Sequence, residues 1–319
     1  MELLCLEKLN ADCRRAERDR VIFEDARVLD NLIDLESNYV PGCDYFQQVQ
    51  NDIFPYMRNV VSTWMLEVCE EQRCEDQVFP LSTNFLDRFL CECQISRSQL
   101  QMVAGVCLLL ASKTRQCHPL SVELICHYTD YSVTPDELRH WEILVLSKLQ
   151  WNATGITGFD FVEHILTRVS WADSNPLIRR HAHTLVSLCY TDPDFIRVYP
   201  SVVATACIGA AVRGLKRHQP APREDEALRS VCALTRVPIE QAEALILRVE
   251  ALVLKETAVL LQHQAQTAAP SAAGKDAAAA PANQKAPSSP PSPSGSSVAD
   301  PLEGLAQPET PTDVQDVHF

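Results

Sequence analysis

Met102-Val103-Ala104-Gly105-Val106-Cys107-Leu108-Leu109-Leu110-Ala111-Ser112-Lys113 and Val202-Val203-Ala204-Thr205-Ala206-Cys207-Ile208-Gly209-Ala210-Ala211-Val212-Arg213 decide the fold. Ala104, Cys107 and Ala111 recur one hundred positions later as Ala204, Cys207 and Ala211. Both stretches are apolar on every side and rich in small residues, the pattern of a helix at the centre of a bundle. A second echo follows each: Glu142-Ile143-Leu144-Val145-Leu146 and Glu243-Ala244-Leu245-Ile246-Leu247. A fold class follows: all-α, two tandem five-helix domains from one duplicated unit. The blander account, in which two buried helices merely share small residues, stays open at this point.

Working outward, helix follows helix. From Met57, apolar residues recur at Val60, Val61, Trp64 and Val68 with three-four spacing, and Pro55 sits where a helix start tolerates it. Further helices are predicted over 81–92, 98–114, 119–128 and 135–150, then 158–170, 176–191, 200–215, 224–236 and 238–262. The one at 135 opens on Thr134-Pro135-Asp136-Glu137, a capping box with proline in its first turn. No run alternates in polarity, and nine glycines serve the whole chain, so strands are expected to be scarce. Past about Gln264, nine of the 20 prolines lie between Pro270 and Pro311 among alanine and serine. Such a segment buries too little to offset its chain entropy and is predicted to be disordered. The predicted organisation is a flexible segment 1–22, a first domain 23–152 with a preceding helix, a second domain 153–263 and a regulatory tail 264–319.

The formal charge of −14 argues against a nucleic-acid partner, which would require a basic stripe, and only a weak basic patch runs from Arg213 to Arg217. The apolar run from Met102 to Ala111 is too short for a bilayer, so no membrane role is expected. No basic-then-apolar leader opens the chain. Its 13 cysteines therefore read as free thiols in a reducing compartment. Cys91-Glu92-Cys93, Cys117-His118 and Cys126-His127 fit no structural zinc spacing, so no metal and no cofactor are expected. Phosphate-loop, dinucleotide, serine-hydrolase and zinc-protease motifs are absent, so no catalytic residue is assigned. His140, His164, His181 and His183 lie on predicted helices without an obvious nucleophile and read as surface or interface histidines.

Two charges interrupt apolar faces. Glu142 shares a face with Leu138, Val145 and Leu149, and Lys113 closes the stripe of Met102, Val106, Leu109 and Leu110. Charges so placed are costly unless paired. Either they satisfy each other within the domain, or they lie at its edge and engage a partner; the pattern alone does not choose.

Several ordered blocks resemble a known family. Met57-Arg58-Asn59-Val60-Val61 with Trp64, Asn84-Phe85-Leu86-Asp87-Arg88-Phe89-Leu90, Leu100-Gln101 and Leu110-Ala111-Ser112-Lys113 are similar, in order and spacing, to a cyclin box. Trp64 to Gln72, the opening Leu3-Leu4-Cys5-Leu6-Glu7 and the ending Thr310-Pro311-Thr312-Asp313-Val314 resemble D-type cyclins specifically. The resemblance covers residues 1 to about 262 and resumes at 308–317.

It implies a non-enzymatic subunit that activates cyclin-dependent kinases four and six, directs them to retinoblastoma-family proteins and so promotes the G1/S transition. Lys113 and Glu142 map onto the charges that contact the kinase's helix C region. Arg58 and Asp87 map onto a structural salt bridge between the first two helices. Leu3, Cys5 and Glu7 map onto the retinoblastoma-docking motif; in an extended strand their side chains share one side. Met57, Val60, Val61, Trp64, Leu100 and Gln101 map onto a groove for substrates and for inhibitors of the Cip/Kip type, although helical spacing alone would make that stripe core. Val61 stands where the family motif commonly has leucine, and Met57, Trp64 and Gln101 are the favoured contacts. Thr310, before Pro311, maps onto a phosphorylation site read for nuclear export and by a ubiquitin ligase, which implies shuttling between nucleus and cytoplasm. Ser289-Pro290 and Ser292-Pro293 carry no family support. Two rival readings share the fold: a cyclin of a transcriptional kinase, and a cyclin-box transcription factor.

Overall fold

The helices α6 (Leu100–Arg115) and α11 (Pro200–Leu215) are buried along most of their length in a computed structural model that describes residues 19–172, 175–215 and 223–267. Ala104, Cys107 and Ala111 of α6 are closed off from solvent, as are Ala204, Cys207 and Ala211 of α11. Around α6 lie α4 (Pro55–Glu71), α5 (Val78–Glu92), α7 (Val122–Tyr128) and α8 (Pro135–Lys148). Around α11 lie α9 (Gly158–Arg168), α10 (Pro176–Thr191), α12 (Glu224–Thr235) and α13 (Ile239–Thr267). Each set closes its own hydrophobic core. The described residues contain no strand.

Small residues on the central helices set how near the others come. A Cβ placed on Gly105 would lie 2.8 Å from Ile125 Cγ2 of α7, so only glycine allows that approach. The predicted capping box at 134 is formed: Thr134 Oγ1 accepts from Glu137 N at 3.3 Å, and Glu137 Oε2 accepts from Thr134 N at 2.9 Å. The Thr134 N–H, with the Thr134 hydroxyl donating to the same oxygen at 2.7 Å, holds the Glu137 carboxyl below its ordinary pKa. The second unit repeats the device with Thr157 and Asp160 at the start of α9.

The boundaries differ from expectation where first turns and entry segments are concerned. The helix α5 begins at Val78, three residues early, because Pro80 falls in its first turn, where backbone N–H groups lack partners anyway. α7 begins only after its Ser121 cap, and α13 runs on to Thr267, past the expected boundary. Three short elements were not foreseen in detail: α1 (Arg20–Glu24), α2 (Ala26–Leu35) and α3 (Tyr45–Gln48). α1 begins inside the stretch expected to be flexible. α2 does not rest on the domain it precedes in sequence; Leu29, 3% exposed, joins the core of the second unit.

One buried ion pair joins the parts. Arg58 of α4 meets Asp87 of α5 in a two-pronged contact, Nη2 to Oδ2 at 2.7 Å and Nε to Oδ1 at 3.0 Å. Tyr45 of α3 donates its hydroxyl to Asp87 Oδ1 at 2.8 Å. Arg58 Nη1 crosses to the second unit and donates to the carbonyls of Tyr190 (2.5 Å) and Thr191 (3.1 Å), in the last turn of α10. A helix C-terminus leaves such carbonyls without intrahelical partners and favours a cation there. Burial lowers the Arg58 pKa, and Asp87 with Tyr45 more than reverses this, so the guanidinium stays charged. A matching contact holds the start of the next helix: buried Glu36 accepts from Ser201 N at 2.8 Å and Ser201 Oγ at 2.7 Å, in the first turn of α11. Burial pushes the Glu36 carboxyl up, and the Ser201 bonds pull it part of the way back.

Replacing Arg58 by Ala leaves the buried Asp87 carboxylate without its counter-charge and takes a donor from the Tyr190 carbonyl, so urea denaturation of Arg58→Ala should show a loss of about 3–5 kcal/mol. Arg58→Ala with Asp87→Ala together should lose clearly less than the sum of the single losses, since the pair acts as a unit.

Candidate functional site

Lys113 lies in the last turn of α6 and Glu142 midway along α8, and the two meet at 2.5 Å between Nζ and Oε1. The Lys113 side chain is 44% exposed and that of Glu142 15%, so the pair sits at the rim of the first unit. Both alternatives left open by the pattern hold in part: the charges satisfy each other, and they do so at an edge that a partner can reach. Beside them Ile143 and Leu144 are exposed, at 57% and 36%. Val145, next along, is fully buried and anchors α8 to the core. The repeat sharpens the contrast. Leu245 of α13, the counterpart of Leu144, is 5% exposed. The two units thus bury different members of the repeated run: Leu144 is open in the first, and Leu247, at 61%, in the second. An apolar patch rimmed by a charge pair is the make-up of a protein-docking surface.

The second predicted face is divided by helix geometry. Val61 (6% exposed) and Leu100 (5%) belong to the core, while Val60 is 64% exposed on the opposite side of α4. Successive helical residues are about 100° apart, so Val61 can pack inward while Val60 points to solvent. Three residues are half-buried: Met57, Trp64 and Gln101. A Cβ on Gly105 would lie 3.8 Å from Trp64 Cη2, so the indole rests over the opening that glycine leaves in α6. Of the six residues, Met57, Trp64 and Gln101 are thus part-accessible, Val60 is exposed, and Val61 and Leu100 are packed into the core. Leu3, Cys5, Glu7 and Thr310 lie outside the described residues.

The histidines divide differently from expectation. His140 is exposed and its Nδ1 bonds the Asp136 carbonyl. His164 is buried, stacked on Phe23 at 4.6 Å, because α1 closes over α9. His183 stacks on Phe159 and faces Glu163 at 3.0 Å. Arg213, the start of the weak basic patch, is paired with Glu224 and Glu250. No group of three metal-ligating side chains gathers among the described residues, and no described helix is long and apolar enough to cross a membrane. The eleven described cysteines are free thiols, six of them buried.

Known proteins match this arrangement. The family model for the cyclin N-terminal domain covers residues 27–154, and that for the cyclin C-terminal domain covers 156–266. G1/S-specific cyclin-D3 of Bos taurus is 42% identical over 320 residues, spanning all of both chains. The chain belongs to the D-type cyclins. G1/S-specific cyclin-D2 of Rattus norvegicus is 50% identical over 220 residues, 69% of this chain and 75% of that one. A viral cyclin from herpesvirus saimiri shares the fold, with a TM-score of 0.62 at 23% identity, over 71% of this chain and 96% of its own. The full-length match to the D-type cyclins sets aside both rival readings, and the two-unit reading of the repeat is that of the cyclin fold.

Sequence reasoning about this cyclin passed over Ile143 and Leu144. A signal was there: Ile143-Leu144-Val145-Leu146 is a run of four apolar residues, and a helix against one core buries only one side of such a run. The division of the α4 face is open to a simple check by thermal denaturation. Leu100→Ala should lose about 2–5 kcal/mol, as for a buried leucine, and Gln101→Ala less than about 0.5 kcal/mol.

Proposed function

We propose that this D-type cyclin binds and activates cyclin-dependent kinases of the four-and-six class and directs them to retinoblastoma-family proteins. As a cyclin, the chain is a regulatory subunit rather than an enzyme, with a role at G1/S. The observation that carries the finer reading is the Lys113–Glu142 pair at an open edge, flanked by exposed Ile143 and Leu144. The family resemblance aligns these charges with the kinase's helix C region. Kinase chemistry needs helix C turned in to complete a lysine–glutamate pair, and an ordered activation loop. A surface that holds only that pose shifts the kinase population without supplying a catalytic atom. Driving the balance from mostly off to mostly on takes about 5.5 kcal/mol of differential affinity. Apolar Ile143 and Leu144 supply burial, and the charge pair supplies register.

Two docking devices complete the proposal. Leu3, Cys5 and Glu7 engage the retinoblastoma pocket as an extended peptide, and Met57, Trp64 and Gln101 receive short motifs of substrates and of Cip/Kip-type inhibitors. Phosphorylation of Thr310 adds about −1.5 to −2 charge, which an arginine-lined receptor reads for nuclear export and for delivery to a ubiquitin ligase. The protein then shuttles between nucleus and cytoplasm.

A partly exposed ion pair contributes at most about 1 kcal/mol to folding, so Lys113→Glu separates partner from structural roles. The variant should melt cooperatively within about 1 kcal/mol of the parent and fail to co-purify with active kinase. A folded variant that still carries active kinase would refute the assignment. Cys5→Ala with Glu7→Ala should abolish capture of a retinoblastoma pocket fragment while kinase activation persists; unchanged capture would remove the motif. Thr310→Ala should lengthen the half-life after a block of synthesis in dividing cells.

A further inference from the structure

The helix α4 ends in a turn that brings two cysteines together. Arg73 takes a left-handed conformation, φ 50°. Cys74 N then donates to Cys69 O at 2.8 Å, and Arg73 N to Glu70 O at 3.0 Å. These are the paired six-to-one and five-to-two bonds of a Schellman motif, which places the side chains at its two ends in contact, normally an apolar pair. The same six-to-one bond closes α7 and α8, where the end positions hold Cys126 with Tyr131 and Leu146 with Trp151. At α4 alone of these three, both ends are thiols, set side by side by the Cys74 N to Cys69 O bond.

The two thiols differ in reach and in acidity. Cys69 is 7% exposed, whereas Cys74 is half-buried at the surface. The neighbouring Cys69 thiol lowers that of Cys74, with a further contribution from the Gln116 side chain at the end of α6, while Cys69 is raised. Burial pushes the thiols of Cys107, Cys126, Cys207 and Cys232 up, and that of Cys91 up to about 12. Of the other neighbouring thiols, Cys91 lies beside Cys43 and donates to its carbonyl at 3.8 Å, and Cys189 and Cys207, at 3.8 Å, are fully buried between α10 and α11.

We propose that Cys69 and Cys74 form a peroxide-reactive dithiol, with Cys74 as the attacking residue and Cys69 as the resolving one. The Cys74 thiolate attacks one oxygen of hydrogen peroxide, the O–O bond breaks, and the departing hydroxide takes a proton to become water. Cys74 is then a sulfenic acid. The Cys69 sulfur attacks the Cys74 sulfur, the S–O bond breaks, and the leaving hydroxide takes the Cys69 proton as a second water. Two thiols lose two electrons and two protons, and one peroxide is reduced to two waters. The turn already holds the partners together, so resolution outpaces further oxidation of Cys74.

The sequence makes the product easy to read. Trypsin cuts after Arg58, Arg73 and Arg88, giving peptides 59–73 and 74–88 with one cysteine each. The reduced full-length protein would be treated with hydrogen peroxide, its remaining thiols blocked with N-ethylmaleimide, and the digest analysed by mass spectrometry. The expected product is the two peptides joined and two hydrogens lighter than their sum, at least about tenfold more abundant than any peptide linked through Cys189 or Cys207. In Cys69→Ser, Cys74 should accumulate as a sulfenic acid trapped by dimedone, and in Cys74→Ser, Cys69 should stay reduced. Circular dichroism of each variant checks that the helices are intact. Absence of the 59–73 to 74–88 link under peroxide, or alkylation of Cys74 no faster than that of Cys189, would overturn the proposal.

Discussion

Arg58 is the constraint on which the rest of the molecule depends. Its guanidinium is 1% exposed, a position at which a lone cation could not persist. Five donors in a fixed fork let it satisfy Asp87 on one side and the two carbonyls ending α10 on the other. Tyr45 takes up further accepting capacity of the same carboxylate and so fixes the approach of α3. Lysine, a single point charge, could not bridge these groups. The relation of the two cyclin units is thus set by a hydrogen-bonding geometry as well as by apolar contact.

The same logic operates at the start of the next helix of the second unit. Glu36 carries a carboxylate to the first turn of α11 and bonds Ser201 through both oxygens. A cation at a helix C-terminus and an anion at a helix N-terminus both complement the helix dipole. Segments that precede the second unit in sequence therefore close its helix ends, and α2 adds Leu29 to its core. The two units share structure across their boundary although each has its own core.

With that frame in place, the open edge of the first unit is defined by what is left uncovered. Val145 fixes α8 on the core, Ile143 and Leu144 consequently face out, and Lys113 reaches across from α6 to Glu142. A salt bridge held in place before a partner arrives restricts both side chains in advance, which lowers the ordering cost of binding.

The sequence by itself determined the helical class, the duplicated central helices, the caps and the family, because each follows from local spacing or from ordered blocks of residues. Ala104 and Ala204 announced two centres, Thr134 with Glu137 announced a helix start, and Arg58 with Asp87 was legible as a pair only through the resemblance. Tertiary structure decided which side of each stripe is core: Val61 and Leu100 are buried while Val60 is not. It decided too that Arg58 reaches Tyr190 and Thr191, that α2 packs on the second unit, and that Cys69 meets Cys74. Periodicity records where side chains point along one helix. It carries no information about which other helix, a hundred residues distant, arrives to meet them.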